Sequence, residues 1–80
     1  MPVIIVIQGF RFYFFSNENN EPPHIHVKKA GCVAKFWLLP DVKLSEVYGY
    51  KTQELRKAWQ LVEENKELFI EKWNEYFNRF

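Results

Sequence analysis

The sequence predicts an α+β domain: a four-stranded antiparallel meander sheet with two C-terminal helices packed on one face. Three observations carry this. Between positions 3 and 39, runs of β-branched and aromatic residues are joined in two places, Gln8-Gly9 and Ala30-Gly31, by two-residue, glycine-containing links, the mark of tight hairpins. His24-Ile25-His26-Val27-Lys28 alternates polar and apolar, as a half-buried strand does. From Thr52 onward, apolar residues recur at helical spacing. The 80 residues leave room for one domain, 1–80, with 3–39 as sheet and 52–80 as helix, because independent cores rarely form below about 40 residues.

Taken in order, Val3 to Ile7 is a β-branched run, Gln8-Gly9 is the first turn, and Phe10 to Phe15 is the answering strand. Ser16 to Pro23 is polar and carries two prolines, so it reads as a loop. His24 to Lys28 is the third strand. Ala30-Gly31 is the second tight turn, and Cys32 to Leu39 is the fourth strand, stopped by Pro40-Asp41. A connector ending in Tyr48-Gly49-Tyr50 leads to Thr52, whose hydroxyl suits an N-cap. Leu55, Ala58, Trp59 and Val62 then form one helical stripe, resumed at Phe69, Trp73, Tyr76, Phe77 and Phe80. A single helix over this span would run about 40 Å, too long for so small a domain, so a break is placed near Glu64-Asn65.

Register follows from the two turns. The second hairpin pairs Lys28 with Val33, His26 with Lys35 and His24 with Trp37 on one face, and Val27 with Ala34 and Ile25 with Phe36 on the other. The first pairs Ile7 with Phe10, Ile5 with Phe12 and Val3 with Phe14. Phe10, Phe12 and Phe14 are therefore assigned to the core under the helices. Arg11 and Tyr13 fall on the outer face beside His24 and His26.

Charge and targeting signals narrow the function classes. Eleven Lys+Arg against ten Asp+Glu give a net charge of +1, which excludes a broadly basic coat for duplex DNA. No acid lies between Glu21 and Asp41, so the middle of the chain is locally basic. The lone Cys32 cannot form an internal disulfide and points to a cytoplasmic location. The apolar start is too short for a membrane span and lacks the basic flank of a signal peptide.

His24-x-His26 is the most chemically suggestive pair. Two imidazoles two apart on a strand project the same way and can share a metal, but Zn²⁺ needs a third ligand. Glu18, Glu21 and Asp41 are the candidates, and none stands at a motif spacing. No cofactor is therefore expected. The same pair can serve as acid and base on RNA, with Arg11, Lys28 or Lys35 stabilising the charged phosphorane, as in a metal-independent ribonuclease. The whole outer set of Arg11, Tyr13, Lys28, Lys35 and Trp37 also fits a single-stranded RNA platform or a protein-binding surface. The small net charge favours protein. A plainer reading is that Trp37 and Tyr13 merely pack across strands. Trp59, Trp73 and Tyr76 sit at helical spacing and read as core, and Cys32 reads as packing. No phosphate loop or dinucleotide fingerprint is present. Val6 and Ile4 leave apolar area that a homodimer could cover.

The order Gly9-Phe10-Arg11-Phe12-Tyr13-Phe14, Ser16-Asn17, Pro22-Pro23-His24-Ile25-His26-Val27, Ala34-Lys35-Phe36-Trp37-Leu38 and Val62-Glu63-Glu64-Asn65 through Trp73-Asn74-Glu75-Tyr76-Phe77 resembles domain of unknown function 4160. The resemblance implies a small prokaryotic protein of no assigned activity. It further implies a protein partner encoded by the adjacent gene, in a toxin–antitoxin-like pair. A histidine-triad nucleotide hydrolase is rejected, since Lys28 stands where a third alternating histidine is needed.

Overall fold

The computed structural model describes residues 3–15 and 21–77. Its elements are β1 (Val3–Ile7), β2 (Phe10–Phe14), β3 (His24–Lys29), β4 (Cys32–Trp37), β5 (Lys43–Tyr48), α1 (Thr52–Glu64) and α2 (Lys66–Phe77). The strands form one antiparallel meander in the order β1-β2-β3-β4-β5.

Both hairpins have the expected register, Ile7 opposite Phe10 and Lys29 opposite Cys32. Their two-residue loops place Gln8 (φ 51°), Gly9 (φ 84°), Ala30 (φ 51°) and Gly31 (φ 81°) in the left-handed region. Positive φ at both loop positions is the type I′ pattern, whose twist matches that of the flanking strands.

The sheet has five strands rather than the expected four. Residues 43–48, read from sequence as connector, form β5 along β4. The register slips between Lys35 and Phe36: Lys35 faces Glu46, whereas Phe36 faces Leu44, leaving Ser45 as the extra residue of a bulge. Leu44 and Val47 therefore both fall on the helix-facing side while standing three apart. A period-two search passes over such a strand.

One face of the sheet carries the core. Phe10, Phe12, Phe14, Ile25, Val27, Ala34 and Phe36 are buried with Ala58, Leu61 and Val62 of α1 and Phe69 and Trp73 of α2. Phe12 meets Phe69 at 5.0 Å between ring centroids, and Phe36 meets Trp59 at 5.4 Å. Each such ring contributes about 1.5–3 kcal/mol through burial, which is how so short a chain supports a folded state.

The helices break at Asn65, as the length argument requires. Its backbone N–H donates to the Leu61 carbonyl at 3.0 Å, its side-chain amide donates to the same oxygen at 2.9 Å, and its own carbonyl accepts from Phe69 N–H at 3.0 Å. Thr52 is not the cap: Lys51 holds that place in extended backbone without a side-chain cap bond, and Thr52 opens the helix. Of the predicted stripe, Phe80 lies outside the described residues.

Candidate functional site

The helices cover one face of the sheet, and among the described residues no helix or strand lies over the other. Parity sends Arg11 and Tyr13 of β2, His26 and Lys28 of β3, Val33, Lys35 and Trp37 of β4, and Glu46 and Tyr48 of β5 to the open side. Tyr13 stands opposite His26, as expected, whereas Arg11 stands opposite Lys28 rather than beside His24.

At the centre, Tyr13 and His26 stack with centroids 5.1 Å apart and planes 18° from parallel. Phe15 closes on both, at 5.4 Å from Tyr13 and 5.6 Å from His26. Lys35 is held from two sides: its Nζ donates to Glu21 Oε1 at 3.0 Å and lies 4.5 Å from the Trp37 ring centroid, leaving the side chain 14% exposed. Cation–π and carboxylate contacts together fix this lysine and the indole beneath it. Arg11 and Lys28 are exposed, and among the described residues neither has a carboxylate partner. Trp37 contacts Lys35 and His24 while Tyr13 stacks on His26, rather than the two rings packing on each other as the plainer reading had it.

His24 departs from its expected solvent-facing placement. Its register opposite Trp37 is as derived, yet its side chain is 0% exposed. The β2–β3 ladder ends at Tyr13 and His26. There Trp73 of α2 meets both Phe14 (5.0 Å) and His24 (4.9 Å), covering the imidazole where sheet and helix layers join. His24 Nδ1 lies 3.0 Å from the Pro22 carbonyl; a carbonyl only accepts, so Nδ1 carries the proton and donates. Glu21 Oε1 is 3.9 Å from the same nitrogen. The ring stands edge-on to His26, with centroids 5.0 Å apart.

This geometry decides what the pair can do. A general acid or base must come within hydrogen-bond reach of its substrate; His26 lies at the surface, whereas His24 is sealed beneath Trp73. Among the described residues no group of three His, Cys, Asp or Glu is placed to hold a metal; Glu18, one candidate ligand, lies outside them. His24 Nδ1 bonds to the loop before β3, and its ring packs against Trp73 and Trp37.

Sequence reasoning missed Tyr48 and Glu46, because β5 was read as connector. Tyr48 is 73% exposed and stands opposite Val33. With Tyr13, His26, Val33, Lys35 and Glu46 it rims a shallow hollow of about 180 Å³. Small-molecule sites run from about 300 Å³ upward. The hollow falls below that range.

A two-layer α+β module with one helix-covered face and one open aromatic–basic face is the class of protein these features define. The chain belongs to the family described as Domain of unknown function (DUF4160), whose model matches residues 9–74. Neither a curated protein nor a solved structure matches it. Among the described residues no helix is long and apolar enough to cross a membrane.

Proposed function

We propose that this chain is a protein-interaction module, the non-enzymatic component of a two-gene, toxin–antitoxin-like pair. It docks a small protein, encoded by the adjacent gene, on the open sheet face in the cytoplasm. The observation that carries this reading is the composition of that face: exposed Arg11, Lys28 and Tyr48 surround the ordered Tyr13–His26 and Trp37–Lys35 contacts. Trp, Tyr and Arg dominate the energetics of protein interfaces, and rings already held in place lose little freedom on binding. Single-stranded RNA is the alternative ligand, but Glu21 and Glu46 put negative charge within the platform and Lys35 is already engaged. A ribonuclease built on His24 and His26 draws no support from the burial of His24.

Co-purification with the adjacent gene product tests the proposal. Arg11→Glu and Trp37→Ala, each checked for an unchanged fold by circular dichroism, are expected to weaken binding by about ten-fold or more. Equal retention of the partner by wild type and both variants removes the face from the account.

A further inference from the structure

Among the described residues the sheet has two unpaired edges, β1 and β5, and they are not alike. β5 carries Lys43 and Glu46 and is distorted by its bulge against β4. Charges and bulges on an edge strand discourage pairing with another chain. β1 has neither: its sequence is Val3-Ile4-Ile5-Val6-Ile7, without a charge or an irregularity in its pairing to β2.

Turn geometry fixes which backbone groups of β1 are already used. In a two-residue hairpin the pair flanking the loop is hydrogen-bonded, here Ile7 with Phe10, and bonded pairs recur at alternate positions. Ile7, Ile5 and Val3 therefore exchange bonds with β2, and Ile4 and Val6 turn their N–H and C=O groups outward. The Val6 side chain is 61% exposed.

We propose that β1 pairs with β1 of a second copy of this chain, antiparallel about a two-fold axis through Ile5, to make a continuous ten-stranded sheet. Edge bonds form only when outward-facing residues meet outward-facing residues. A two-fold at Ile5 satisfies that rule by setting Ile4 of each copy opposite Val6 of the other, for four backbone hydrogen bonds. Every residue of the strand finds a partner, and each pair is β-branched on both sides, the cross-strand composition strands prefer. The centring also keeps charge apart. Arg11 would lie three strand spacings, about 14 Å, from the nearest residue of the other copy's β2 in its row, beyond the screening length of about 8 Å at physiological salt. On β5 the same operation would have to pair a bulged strand bearing Lys43 and Glu46 with itself.

Amide hydrogen exchange of the wild-type chain, read together with its solution mass, tests this. Ile5 and Ile7 amides are expected to be protected at all concentrations. Those of Ile4 and Val6 should gain protection as concentration rises and the mass reaches twice 9.7 kDa. Val6→Pro deletes an outward N–H without touching the β2 ladder and is expected to return the chain to one copy, whereas Val6→Thr keeps the pairing. In a Cys32→Ala background, Ile5→Cys should oxidise to a cross-linked dimer, because facing Cα atoms in a non-bonded antiparallel pair lie about 4.5 Å apart. A single-chain mass with unprotected Ile4 and Val6 amides at millimolar concentration overturns the proposal. So does protection of Val6 that arises only on adding the adjacent gene product, which assigns the edge to a different protein's strand.

Discussion

Tyr50 shows how much one atom can report. Its hydroxyl is buried without a hydrogen-bond partner among the described residues, and burial, with Cys32, Glu54 and Tyr13 adding to it, pushes the phenol from its ordinary 10 up to about 12. A raised value means the fold prefers the neutral ring. Its contribution to stability is whole below pH 10 and is lost as pH rises from about 10 to about 12. Tyr50→Phe is expected to remove that decline from a denaturation series over this range and to raise stability by about 1 kcal/mol near neutrality, since the hydroxyl is buried unsatisfied. Ala30 makes a second residue-scale case. At φ 51° it occupies a conformation that disfavours a Cβ but that asparagine tolerates. Ala30→Asn should raise the midpoint of urea unfolding by an amount equivalent to about 0.5–1 kcal/mol. His24 was misplaced from sequence for a reason visible at this scale. Strand parity says which way a side chain starts, but not that a tryptophan some fifty residues later will close over it.

At the scale of elements, the two hairpins were legible to the residue because Gln8-Gly9 and Ala30-Gly31 allow one register each. β5 was not, and the cause is the bulge. Ser45 inserts between Leu44 and Val47, so inward residues fall three apart and the alternation that identifies a strand is lost. The chemistry went with it, since Tyr48 and Glu46 belong to the open face only if residues 43–48 are a strand. The helix break was legible from length alone, whereas the role of Asn65 was not, because a side-chain bond to the Leu61 carbonyl has no periodic signature. Asn65→Ala is expected to cost about 1 kcal/mol in thermal unfolding by removing that bond, while leaving helix content near its native value.

At the scale of the whole molecule, one segregation organises the rest. The inner face is a phenylalanine layer sealed by α1 and α2, and its weight is testable. Phe69→Ala, which deletes the ring packed on Phe12, should cost about 3–5 kcal/mol in chemical denaturation, enough to unfold much of the population of so small a domain. On the outer face, Tyr13 and His26 are stacked and Lys35 is held between Glu21 and Trp37, while Arg11 and Lys28 extend into solvent. The inner layer was readable because burial follows hydrophobic pattern. The outer one was readable only as a list of residues, because the contacts that arrange it, Tyr13 on His26 and Lys35 between Glu21 and Trp37, join different strands and a loop. The central claim is that this open layer is where a protein partner sits. Nuclear magnetic resonance shift mapping of the labelled chain, titrated with the adjacent gene product, tests it most directly. Perturbations centred on Arg11, Tyr13, His26, Lys28, Trp37 and Tyr48 are expected. Perturbations confined to the solvent side of the helices, at Arg56, Gln60, Glu63 and Glu71, would contradict it.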